Sequence, residues 1–134
     1  LAQALHKQAA VVQVLHPALP GAPGHQHWQQ LCGAANQGQG AAAGIFSVVI
    51  APRFSPAAVD ALCDSLQLFK LGYSWGGPMS LVMPYDIDSM RVAGRGQVQP
   101  GTVVRFCIGL ENVSDLQQDL AQAWAKAFGE AWVA

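Results

Sequence analysis

The chain is 134 residues long, enough for one domain with a real core. Its formal net charge of -1 and pI near 6.4 exclude the basic field that draws nucleic acid or anionic lipid. Only 11% of residues are charged while 51% are hydrophobic, yet no apolar run approaches the ~18 residues of a membrane span, which predicts a domain with one face covered by a neighbouring domain or subunit.

Residues 1–9 read as the end of a helix, with neither an initiator Met nor the basic–apolar–small pattern of a secretory signal, as if cut from a longer chain. Val11 to Leu15 predicts a short buried strand, closed by the Pro/Gly cluster "HPALPGAPG". "HQHWQQLCG" predicts a short helix ending at Gly33, followed by a loose Gly/Ala/polar connector over 34–44. "IFSVVI" is β-branched and aromatic, as a strand requires.

In "RFSPAAVDALCDSL", Ser55 is placed to cap a helix with Pro56 at its first position, and Phe54 and Val59 fall at the staple positions. Val59, Leu62, Cys63 and Leu66 form its apolar face. "LFKLG" and "LVMP" predict short strands, residues 86–101 a long polar connection, and "TVVRFCIG" a strong strand. Asn112 caps the final helix, with Asp115 in its acidic first turn. There Val113, Leu116, Leu120, Ala123, Trp124, Ala127 and Phe128 recur at three- and four-residue steps. Strands and helices alternate, but links of uneven length give no clean run of βαβ units. The expected fold is a two-layer α+β domain, a small and mostly antiparallel sheet covered by helices.

The three cysteines, Cys32, Cys63 and Cys107, are odd in number and far apart, which argues against a disulfide framework or a zinc site. Small buried hydrophobes in a reducing, cytoplasmic compartment are the expected role of all three. His25 and His27 form an H-x-H pair without a further ligand at metal spacing, so no metal site is expected. "AGRGQ", around Arg95, lacks a full phosphate-loop fingerprint, and no G-x-S-x-G or H-E-x-x-H motif is present. Of the three lysines, Lys7, Lys70 and Lys126, neither Lys70, beside the Gly-Tyr-Ser-Trp stretch, nor Lys126, on the polar side of the last helix, stands in a setting that marks a Schiff-base nucleophile.

Arg105 is the strongest candidate for binding chemistry. Strand alternation puts Val103, Arg105 and Cys107 on one face and Val104 and Phe106 on the other. A guanidinium among hydrophobes requires an anion, and its fork matches a carboxylate. Two sources stand open: an internal partner such as Glu111 or an aspartate, or a ligand. In "GYSWGGPMSL", Ser74, Trp75, Gly76 and Gly77 form either a tight turn with a core tryptophan or one wall of a ligand pocket.

The pair "FKLGYSWGGPMSL" and "GTVVRFCIGLENVSDLQQDLAQA", in that order, resembles the C-terminal domain of the Cys/Met-metabolism enzymes that use pyridoxal 5′-phosphate. "VLHPALPGAPGHQHW" and "GIFSVVI" also fall in the expected order, so the resemblance spans nearly the whole chain. "YSWGG" is most like the bacterial cystathionine β-lyase branch of that family. The resemblance implies the small domain of a fold-type I enzyme, in which Arg105 grips the substrate α-carboxylate. Ser74 and Trp75 would line the same end of the pocket, with Tyr73 adjacent. It implies that the catalytic lysine, the aspartate on the pyridine nitrogen and the phosphate loop belong to an upstream large domain, so these residues alone are expected to be inactive. The cofactor would be the electron sink for α,β-elimination of cystathionine to homocysteine, pyruvate and ammonia. The expected partners are an amino-acid substrate, that large domain and further copies of the full-length chain in a homo-oligomer, a tetramer. Met79 departs from the pattern by replacing a glutamate, which predicts that the hydrogen bonds of that carboxylate are missing and leaves the substrate open. Related γ-synthases, γ-lyases and sulfhydrylases share the Arg and Ser-Gly-Gly features. A non-catalytic module that binds a small anion or mediates assembly is the reading from another class.

Overall fold

The computed structural model describes residues 1–33 and 41–133. Its elements are helix α1 (Ala2–His6), strand β1 (Val11–Leu15), helix α2 (His25–Trp28) running into a π-helical turn (Gln29–Gly33), β2 (Ile45–Ile50), α3 (Pro56–Ser65), β3 (Lys70–Leu71), β4 (Leu81–Tyr85), α4 (Ile87–Met90), β5 (Thr102–Cys107) and α5 (Val113–Phe128). The strands form one sheet in the order β1-β2-β5-β4-β3. All neighbours are antiparallel except β3 and β4. This is the α+β layer arrangement expected from the sequence. Most of the predicted connector, residues 34–40, lies outside the described residues.

The caps explain where the two long helices begin. Ser55 Oγ accepts the Ala58 N–H and Pro56 follows it, fixing the start of α3; Asn112 Oδ1 accepts the Ser114 N–H and starts α5. At the far end of α5, Gly129 adopts the left-handed conformation (φ 66°).

Both helices lay their apolar faces on one side of the sheet. Val59, Leu62, Cys63 and Leu66 of α3 and its cap meet Leu116, Leu120, Ala123 and Trp124 of α5, above Val48, Ile50, Val82, Val104 and Phe106. Each fully buried aliphatic or aromatic side chain there contributes about 1.5–3 kcal/mol. Burial, reinforced by Asp60 and Asp64, pushes the Cys63 thiol up to about 12, so it remains a protonated apolar filler.

The expectation of a buried strand fails at β1, which lies at the sheet edge with only Val14 buried and Val12 45% exposed, and two further expectations fail at single side chains. Cys32 is half-exposed because it sits in the π-helical turn rather than against the sheet. Val113, assigned to the buried face of α5, is 53% exposed because the first turn overhangs a surface groove instead of the core. Cys63 and Cys107 are buried as expected.

The second sheet face is covered unevenly. The connection after β4 folds back over part of it, and Ile87 and Val98 pack on Val49, Val103 and Tyr85. Asp86 caps α4, and Arg95 holds the segment closed through Asp88 and the carbonyls of Gln99 and Gly101. Arg105 lies on the same face, beyond that cover.

Candidate functional site

Arg105 is carried by β5, the middle strand, with Ser47 of β2 and Met83 of β4 as its register partners. Alternation turns it away from the helices, as the sequence predicts, since Val104 and Phe106 enter the helical core. The side chain is half-buried. Its Nη2 donates to the Gly72 carbonyl at 3.1 Å, and its Cζ lies 5.6 Å from the centroid of the Tyr85 ring. A guanidinium has five N–H donors; beyond Gly72, Arg105 finds no protein acceptor among the described residues. The ion pairs among those residues are Arg53–Glu130 and Arg95–Asp88. Arg105 is in neither.

Glu111, the internal partner considered for Arg105, is engaged elsewhere. Its carboxylate accepts the Ser80 N–H at 2.7 Å and the Ser80 hydroxyl at 2.8 Å. The same hydroxyl accepts the Gly109 N–H at 2.9 Å. Partial burial alone would raise the Glu111 pKa, but the Ser80 N–H, the Ser80 hydroxyl and its own backbone N–H hold it below the ordinary glutamate value. Gly109 is required by this contact: a Cβ there would stand 2.3 Å from the Pro78 carbonyl oxygen. The Leu110 N–H, donating to that carbonyl at 2.8 Å, completes a clasp between the loop after β3 and the turn after β5.

The loop so held carries the other candidates. Tyr73 is 69% exposed, with its ring edge-on to Tyr85 at 6.3 Å. Ser74 is exposed, and its hydroxyl has no hydrogen-bond partner among the described residues. Trp75 is 69% exposed, so it is not the core tryptophan of a simple turn. Gly76 takes a left-handed conformation (φ 73°) and its N–H donates to Cys107 Sγ at 3.4 Å, pinning the loop to the end of β5. Met79 is 57% exposed.

The fold thus joins Arg105, Tyr85 and Tyr73 in one cation–aromatic row. It sets Ser74 and Trp75 on the same loop as Gly72, whose carbonyl holds the guanidinium, with both side chains turned to solvent. Sequence reasoning missed Tyr85 and the pairing of Glu111 with Ser80. The available signal was the alternation Leu81, Met83, Tyr85 along β4, which a strand ending at Pro84 cuts short.

One concave surface, about 480 Å³, is lined by residues including His16, Leu19, Trp28, Phe46 and Ile108; another of the same volume is lined by Asp60, Tyr85, Asp86, Asp88 and Arg95, among others. Arg105 lines neither, although Tyr85 beside its guanidinium lines the second. His25 Nδ1 pairs with the Pro17 carbonyl at 2.8 Å, and no group of three metal-ligating side chains exists among the described residues. No helix among them is long and apolar enough to cross a membrane.

Pyridoxal phosphate, the cofactor implied by the resemblance, does not fit the residues present. Lys70 is exposed with its Nζ donating to the Gln67 carbonyl, and Lys7 and Lys126 are also exposed. Arg95, between Gly94 and Gly96, is committed to Asp88 and two backbone carbonyls rather than left to a phosphate.

Comparison with known proteins supplies the context. The family model for Cys/Met metabolism PLP-dependent enzymes matches residues 1–125. Curated relatives include the cystathionine beta-lyase of Salmonella typhimurium, 40% identical over 87% of this chain and 28% of that protein. Cystathionine beta-lyase MetC of Escherichia coli is 34% identical over 94% of this chain and 31% of its own length. Among solved structures, the cystathionine gamma synthase of Xanthomonas oryzae pv. oryzae in complex with cystathionine superposes with a TM-score of 0.70 at 31% identity, over 96% of this chain and 32% of that one. The chain therefore spans about a third of the length of its relatives. With a matched α+β fold and a family model covering nearly every residue, the chain belongs to the Cys/Met metabolism PLP-dependent enzymes.

Proposed function

We propose that this chain is the C-terminal small domain of a pyridoxal-phosphate-dependent carbon–sulfur lyase of the cystathionine β-lyase type, and that Arg105 binds the α-carboxylate of its amino-acid substrate. The observation that carries the reading is a half-buried guanidinium with no carboxylate within ion-pairing distance among the described residues. A fork with several free donors is complementary to two carboxylate oxygens. Ser74 supplies a hydroxyl, and Trp75 and Tyr73 supply apolar walls, at the same end of the domain. The groups that hold pyridoxal phosphate then lie in the remainder of the full-length protein. Arg105 faces outward because the second wall of the site belongs to that part, which suits ligand sites at domain boundaries.

In this reading the domain works by orientation. With its carboxylate held by Arg105 the substrate could not turn freely about its Cα–N bond, and the cofactor, bound by other parts of the full-length protein, would supply the electron sink. Positioning of this kind lowers a barrier by several kcal/mol, up to about 7–11 in the most favourable cases.

The test uses the full-length protein with cystathionine. Arg105→Ala is expected to raise KM by at least about tenfold, as loss of a charge-assisted bidentate pair implies. Arg105→Lys should recover only part of that loss. An unchanged KM in Arg105→Ala would overturn the assignment. Identifying the oxo-acid product separates the β-lyase reading from its γ-type relatives: pyruvate marks β-elimination and 2-oxobutyrate marks γ-elimination.

A further inference from the structure

We infer that Tyr85 is a positioning residue for Arg105, an aromatic support that aims the guanidinium at the substrate carboxylate; this rests on the carboxylate-binding reading above. Met83 is the register partner of Arg105, and Tyr85 lies two residues further along β4, on the same face and at the diagonal position. Long side chains meet across that diagonal, and here the Arg105 Cζ stands 5.6 Å from the Tyr85 ring centroid, within cation–π reach. Gly72 takes one donor from the loop side. Held between a ring and a carbonyl, the guanidinium loses much of the rotamer freedom of a free arginine before the ligand arrives.

The ring is itself held. Tyr85 packs with Val49, Ile87, Val103 and Val98 in the small cluster on this sheet face, and Tyr73 meets it edge-on at 6.3 Å. The support is therefore fixed on one side by the strand and on the other by the loop that carries Ser74 and Trp75. A ring gives this support without needing its hydroxyl, whereas an aliphatic side chain fills the space without the negative face that attracts a cation.

The experiment measures steady-state kinetics of the full-length protein with cystathionine for Tyr85→Phe, Tyr85→Leu, Tyr85→Met and Arg105→Ala, and for Tyr85→Leu combined with Arg105→Ala. Tyr85→Leu and Tyr85→Met are expected to raise KM roughly three- to tenfold and to lower kcat as well, since a carboxylate held less firmly is oriented less well, and Tyr85→Phe to match the parent. In the Arg105→Ala background Tyr85→Leu should add nothing further, because the group it aims is gone. Melting temperatures identify any variant that fails to fold, and the other aliphatic variant then carries the comparison. The inference is overturned if both aliphatic variants keep the parent KM, if Phe is as damaging as Leu, or if the Leu effect persists without Arg105. If Arg105→Ala itself leaves KM unchanged, the carboxylate reading falls and this inference with it; if only the Tyr85 variants are silent, the carboxylate reading stands alone.

Discussion

Asp119 is a charged residue on α5 with only 6% of its surface exposed. Its carboxylate accepts the backbone N–H groups of Gln67 and Leu68, each at 2.8 Å, and of Phe69 at 3.4 Å, with Gln122 Nε2 at 3.1 Å. It therefore closes the turn between α3 and β3, just ahead of Gly72. Asp119→Ala would remove the acceptor from these amides, of which only that of Phe69 is buried, and should cost about 1–3 kcal/mol, seen as a lower urea midpoint with faster amide exchange at 67–69. The sequence shows Asp119 only as a polar position on an amphipathic helix, because its acceptor role depends on a turn 50 residues away. Arg105 was legible by contrast, since strand alternation alone sets its face. Tyr85 was not, because Pro84 suggests a strand end, whereas on β4 the proline occupies a helix-side position within the strand.

At the level of elements, the clasp of Ser80, Gly109 and Glu111 makes one unit of the loop after β3 and the turn after β5. Its carboxylate is acid-sensitive in a defined direction. The folded pKa of Glu111 lies below its unfolded value, so the stabilisation is fully present above the ordinary glutamate value of about 4.3. It is lost as the pH falls through the lower folded value. Thermal melts between pH 6 and pH 3 should show Glu111→Gln with a lower melting temperature at pH 6 and a shallower decline on acidification. Parallel curves would argue against the clasp. The two long helices were readable from caps and apolar spacing, since these signals are local. β3 was readable only as a short extended stretch; its parallel pairing with β4 rests on Lys70↔Leu81 and Leu71↔Val82, which no short-range pattern encodes. The connection after β4 reads in the sequence as a long polar stretch, and the covering role of Ile87 and Val98 emerges only once Val49 and Val103 are side by side.

Across the whole molecule, the layer class was legible from the alternation of element types, but the order β1-β2-β5-β4-β3 was not. Periodicity says which face a residue takes and nothing about its neighbour. The two ends of the described chain are joined by Gln8, 3% exposed. Its Nε2 donates to the Ala4 and Val133 carbonyls and its Oε1 accepts the Val133 N–H. Gln8→Leu should leave that amide unbonded and release the C-terminal tail, bringing Trp132 away from Trp124; amide exchange at Val133 and tryptophan emission would report it. The placement of Arg105 on the middle strand has a different kind of consequence. A Cα laced into hydrogen-bonded ladders on both sides is a fixed post, while the loop at 72–80 stands at the rim of the sheet. Under the proposed carboxylate-binding role, divergence toward longer or shorter substrates should accumulate in the rim and leave the post where it is, a common anchor inside a changing fence.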